Sequence, residues 1–219
     1  MRKVFWDNPY QQTLTTKVAS VDGDHILCEE TIIYHFSGAQ ESDKATINSL
    51  PVLSSRMDGP LIYYTLPPEH TVKSGDTVTM EIDWPRRKRL MRLHFAAELV
   101  LELITRKLHL KKVGAHIAEA KARIDFESAE SIAPFLPEIS AQFHEVVAND
   151  LPIHKDFSDV EHQRRYWKIE GFAEVPCGGT HVKSTGEVGK VTLKRDRPGK
   201  GVERVEIRLV DDSPDHIKN

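Results

Sequence analysis

The chain has 219 residues, of which 39% are apolar and 29% charged, and a formal net charge of −3. That composition describes a globular chain able to bury a real core, with room for two small domains, and excludes a disordered or collagen-like polymer. There is no basic leader with an apolar segment behind it and no apolar run of membrane-spanning length, so no membrane partner is expected and the cytosol is the expected compartment.

In chain order, the first 85 residues read as short strands joined by turns. Lys17 to Val21, Asp22-Gly23 and His25 to Cys28 form a hairpin pattern, because Asp-Gly readily supplies positive φ. Asp58-Gly59 before Leu61 to Tyr64, and Ser74-Gly75-Asp76 before the alternating Val78, Met80, Ile82 and Trp84, repeat the signal. Residues 1–85 are expected to be a small β-barrel domain, with a sandwich as the alternative. Cys28 lies in an apolar run and reads as core; it is too far from Cys177, in too different a setting, to suggest a disulfide framework.

From Arg86 to Leu110 the composition turns helical, and Leu93 to Ile104 is apolar nearly all round, which predicts a helix buried on most sides. Ala122 to Phe126 reads as a strand. A second helix follows on the stripe Ile132, Phe135, Leu136, Ile139, Phe143, Val146 and Val147, its start delayed by Pro134 and Pro137. Tyr166 to Ile169, Val188 to Leu193, and Val205, Ile207 and Leu209 give further strands. The expected class is α+β, with residues 86–219 a two-layer domain of antiparallel sheet and two main helices. Asp211 to Asn219 reads as a frayed polar tail.

Two stretches carry chemistry. Cys177-Gly178-Gly179-Thr180-His181 places a thiolate and an imidazole four positions apart, able to share one small cation. His94 and Glu98 stand one turn apart on the predicted buried helix, and a carboxylate there needs a partner, a shifted pKa or a metal. The expected metal set is His94, Glu98, Cys177 and His181. A Cys-His catalytic pair fits less well, because a base works on a thiol across a cleft rather than from four residues away. A phosphatase loop fits poorly, because Lys183 stands where an arginine would hold phosphate through two hydrogen bonds. Basic residues gather in two places despite the acidic total: Arg86, Arg87, Lys88, Arg89 and Arg92 where the helix begins, and Lys190, Lys194, Arg195, Arg197, Lys200 and Arg204 near the end. Cations at a helix start oppose its dipole, so phosphate binding stands beside the plainer reading of a solvated face.

From Thr31 onward the chain resembles the editing domain of alanyl-tRNA synthetase and its free-standing relatives, the AlaX alanyl-tRNA editing proteins, and its N-terminal β-domain is like that of the medium-length type. The matching segments are Thr31 to Asp43, Asp83 to Leu99, Arg123 to Phe126, Cys177 to Val182 and Thr185 to Gly189. The resemblance implies a Zn2+ ion held by a His-x-x-x-His pair and the Cys-x-x-x-His pair, and hydrolysis of a wrongly attached amino acid from tRNA for alanine: serine, with glycine as a second candidate. It carries serine-versus-alanine discrimination to Thr31 and a catalytic place to Gln40, and makes Arg86, Arg87, Lys88, Arg92, Lys194, Arg195 and Arg204 the expected RNA contacts. Two departures stand out. Glu98 replaces the second histidine, and Ser37-Gly38-Ala39-Gln40 replaces three glycines before a glutamine. Glu98 is open to two roles, fourth ligand or general base beside a three-ligand metal. The rival function is a non-catalytic RNA-binding module of the same fold.

Overall fold

A computed structural model describes residues 1–210; the tail expected at 211–219 lies outside the described residues. By its contacts the chain falls into two units, Met1–Lys88 with Gly178–Thr180, and Arg89–Cys177 with the residues from His181 onward. The class is α+β with mostly antiparallel sheets.

The first unit holds β1 (Arg2–Lys3), α1 (Val4–Asp7), β2 (Thr13–Asp22), β3 (His25–Cys28), β4 (Glu30–Thr31), β5 (Ala45–Ile47), β6 (Leu50–Pro51), β7 (Ser54–Asp58), β8 (Leu61–Thr65) and β9 (Thr77–Ile82). Seven of these strands form a sheet in the order β6-β5-β9-β2-β3-β8-β7. Strand β2 pairs β9 along Thr13 to Lys17 and β3 along Val18 to Asp22, with a register shift between Val18 and Ser20. Such a bulge bends the strand and curls the sheet, which turns barrel-like while its ladder still ends on β6 and β7. The expected turns are present: Gly23 and Gly59 take φ of 55° and 54° in two-residue hairpins. Val78, Met80 and Ile82 face the core with Ile26, Cys28, Ile47, Ile62 and Tyr64.

The second unit takes most of α2 (Trp84–Leu108), then β10 (Lys111–Ile117), β11 (Ala122–Glu127), α3 (Leu136–Ala148), β12 (His154–Asp159), β13 (Arg164–Ile169), β14 (Ala173–Pro176), β15 (Val191–Gly199) and β16 (Val202–Leu209). Two antiparallel sheets result, β10-β11-β16-β15 and β12-β13-β14. Helix α2 is buried nearly all round, as its composition predicts, from Leu90 through Ile104. Pro85 sits in its first turn, where a missing N–H costs nothing, and Asp83 Oδ1 accepts the Arg86 N–H at 3.1 Å.

The pattern differs from expectation in three places. Strands β10, β12 and β14 carry no strong apolar alternation; β12 has no buried residue along its length. The strand expected over Val188 to Leu193 begins at Val191, because Gly189 at φ 74° interrupts the chain after a 3-10 turn over Thr185–Val188. Ahead of α3, a 3-10 turn over Ala133–Phe135 absorbs Pro134, and the predicted stripe is buried at Ile132, Leu136, Ile139 and Phe143 while Phe135 is exposed.

Candidate metal centre

His94 and Glu98 come from the buried stretch of α2, and Cys177 follows directly on β14. The Cys177 N–H donates to Arg165 O at 2.8 Å, which extends the β13-β14 pairing by one residue and fixes where the sulfur starts. The segment after His181 is tied down on the other side. Ile153 N–H bonds Lys183 O at 2.8 Å, and Thr185 Oγ1 donates to Val146 O at 2.7 Å. Gly186 lets the chain pass close to Asp150: its N–H reaches Asp150 Oδ1 at 3.0 Å, and a Cβ there would lie 2.3 Å from that oxygen and displace the carboxylate. The Thr-Gly-Glu-Val-Gly segment is thereby a brace for the histidine before it.

The donor atoms of His94, Cys177 and His181 all lie within 4.8 Å of one another. Cys177 Sγ is 3.3 Å from His94 Nε2, and the two imidazole rings meet edge to face with centroids 5.0 Å apart. Glu98 Oε1 lies 3.3 Å from His94 Nε2 and accepts from the Cys177 thiol at 3.5 Å, while Oε2 accepts from Trp167 Nε1 at 3.4 Å. Both ring nitrogens of His181 are buried without a hydrogen-bond partner. Leaving a polar atom so placed costs on the order of 1–3 kcal/mol, and a bound ion would relieve one of the two nitrogens.

Electrostatics follow from this crowding. Burial pushes His181 well below the usual histidine range, and the nearby His94, Lys155 and Arg165 push it the same way, so its ring is neutral and fit to donate a lone pair. Burial also acts against charge on His94, but Cys177 and then Glu98 outweigh it and raise that ring to about 10. For Glu98, burial favours the neutral acid and is outweighed by His94, with Trp167 and Cys177 helping to hold the carboxylate ionised.

The residues fit a zinc ion. Two imidazoles and a thiolate are a borderline-soft donor set, and tetrahedral zinc with bonds of about 2.0–2.3 Å sets donor atoms roughly 3.5 Å apart. The observed sulfur-to-nitrogen separation of 3.3 Å is already at that scale.

Residues 165–206 match a family profile described as the threonyl and alanyl tRNA synthetase second additional domain. The alanyl-tRNA editing protein AlaX-M of Pyrococcus horikoshii is 32% identical over 214 residues, covering 95% of this chain and 97% of that protein. The chain belongs to the AlaX alanyl-tRNA editing family. It is also similar to alanine–tRNA ligases, at 28% identity over 225 residues in Methanococcus maripaludis and 33% over 221 in Methanopyrus kandleri. Against those ligases it spans 25% and 23% of their length.

The other residues singled out in this AlaX-family chain fall into two groups. Thr31 is fully buried; its hydroxyl lies 2.7 Å from that of Tyr64 and accepts the Ile33 N–H at 3.0 Å. Gln40, also buried, grips Thr180 through Nε2 to Oγ1 at 2.8 Å and Oε1 to the N–H at 3.3 Å. That clamp acts on the residue next to His181. Several of the expected RNA contacts also make internal ties. Arg87 has no exposure: it is paired with Asp43 and donates to Pro9 O and Ile32 O, so it must be removed from the RNA-facing set. Arg86 is 9% exposed and bonded to Glu41. Arg195 grips buried Glu203, Arg204 grips Asp125, and Arg92 donates to Val188 O. Lys88 and Lys194 are exposed. Sequence reasoning missed Trp167, because an aromatic residue on a strand reads only as core; nothing in its spacing announces an indole donor to Glu98.

Proposed function

We propose that this chain is a zinc-dependent aminoacyl-tRNA hydrolase that acts in trans on mischarged tRNA for alanine, releasing serine from its terminal ribose ester. The observation that carries the reading is the buried His94, Cys177 and His181 cluster with both nitrogens of His181 unbonded, in a chain of the alanyl-tRNA editing family.

His94, Cys177 and His181 would hold the metal, which supplies Lewis-acid polarisation of oxygen when bound. Glu98 supplies the base. Its carboxylate is kept ionised among these ligands, with Trp167 fixing Oε2 and leaving Oε1 turned toward His94 and Cys177. Water loses its proton to Glu98 as it attacks the ester carbonyl, and the same proton passes to the departing ribose oxygen. Gln40 positions Thr180 and through it the approach to His181. Thr31, fully buried with its hydroxyl on Tyr64 and the Ile33 N–H, acts on the serine-versus-alanine choice through the backbone it holds rather than by touching the substrate. Lys88 and Lys194 are the basic residues of the original set with exposure suited to phosphate.

The test is metal analysis of the purified protein followed by incubation with serine-charged and alanine-charged tRNA for alanine. One zinc per chain and selective release of serine are expected, with His181→Ala losing both. Tight RNA binding with the ester left intact would instead favour the non-catalytic module.

A further inference from the structure

A cavity of about 280 Å³ opens in the first unit between the segment 33–43 and the segment 52–55. Its apolar walls include Phe36 and Leu53, which are 51% and 58% exposed although both are large hydrophobic side chains. One end is polar, where His35 Nδ1 and Ser55 Oγ are 2.8 Å apart. Asp43 is the charged residue in the lining, and its oxygens are already taken by Arg87 and the Tyr34 N–H. Burial lowers the pKa of His35, so that ring is neutral at pH 7. The cavity therefore offers no charge to a phosphate or a carboxylate. Its volume lies just below the range of about 300–1,000 Å³ in which proteins enclose drug-sized molecules, which leaves room for a ring system.

The geometry points to a site for one unstacked nucleobase from the single-stranded 3′ end of the RNA, its face against Phe36 and its edge toward His35 and Ser55. The assignment rests on the proposed RNA substrate. Single-stranded RNA is read by splaying bases onto aromatic side chains and hydrogen-bonding their edges, which asks for a neutral, flat pocket with a polar end. The wall is preformed: Ser42 Oγ accepts the Phe36 N–H at 2.8 Å, and Tyr34 OH donates to Ser37 O at 3.0 Å. Segment 33–43 also carries Gln40, whose side chain is bonded to Thr180, so the proposed base wall and the clamp next to His181 are one piece of chain.

The probes are uncharged transcripts of alanine tRNA with an abasic ribose placed in turn at each unpaired 3′ nucleotide, titrated against the wild-type protein and Phe36→Ala. One abasic position should weaken wild-type binding roughly ten-fold. Phe36→Ala should bind the intact transcript with about that same loss and show no further penalty at that position. His35→Ala should give a smaller loss, likewise cancelled there. Equal abasic penalties in wild type and Phe36→Ala would overturn the site while leaving the hydrolase reading intact. So would a wild-type dimer that Phe36→Ala dissociates, since a second copy would then cover this wall. Failure of wild type to bind the intact transcript would remove the functional reading itself, and the base site with it.

Discussion

At the scale of single residues, two departures from the expected motif decide most. Glu98 replaces an expected imidazole, and its carboxylate is shared among His94, Cys177 and Trp167. If it works as the base, Glu98→Gln keeps shape and hydrogen bonding but cannot accept a proton. The expected outcome is unchanged zinc stoichiometry with deacylation reduced by about 10²-fold or more, measured by metal analysis and single-turnover release. Zinc lost along with activity would make Glu98 a ligand instead. The second departure is Ala39. Ser37 and Gln40 exchange backbone hydrogen bonds around Gly38 at φ 55° and Ala39 at φ 72°, a two-residue turn that demands positive φ at both central positions. Alanine is strained there. Ala39→Gly should raise stability by about 0.5–1 kcal/mol net of glycine's extra freedom when unfolded, read from a denaturant midpoint.

At the scale of elements, the start of α2 shows why a basic cluster can mislead. Cations at a helix N-terminus are electrostatically misplaced unless something else holds them, and here Asp83 caps the turn while Asp43 and Glu41 take the two arginines. The Arg87 to Asp43 pair has no side-chain exposure on either partner, so it is a cross-link inside the first unit. Arg87→Ala leaves a buried carboxylate unmatched and should cost about 3–5 kcal/mol in chemical denaturation. The double variant with Asp43→Ala should recover part of that loss, as coupled sites do. Composition and spacing announced α2, α3 and the turns at Gly23 and Gly59. They missed β10, β12 and β14 because a strand that pairs through its backbone need not advertise itself with an apolar face.

At the scale of the whole molecule, acid sensitivity is spread over internal ion pairs. Arg195 holds Glu203 below the usual carboxylate range, and Lys121 does the same for Glu206. A carboxyl group whose folded pKa is depressed adds stability at neutral pH, and that stability is lost as pH falls from its unfolded value, about 4.3, through the folded one. The melting temperature should therefore be flat above about pH 5.5 and fall steeply below about 4. Glu203→Gln should melt lower at pH 7 and show a shallower acid slope. A slope equal to wild type would remove this pair from the account.

Spacing alone brought forward Cys177 with His181 and His94 with Glu98 as candidates, because those intervals are set by local backbone geometry. Periodicity likewise determined the buried helix and the α+β class. Tertiary structure alone decided which arginines remain available to a partner, since pairing of Arg87 with Asp43 or Arg204 with Asp125 joins residues 44 and 79 positions apart. It also decided that Trp167 meets Glu98 and that both nitrogens of His181 are buried unbonded. Those outcomes depend on which distant side chains the folded core brings to hydrogen-bonding range, and no repeat or interval along the chain encodes that.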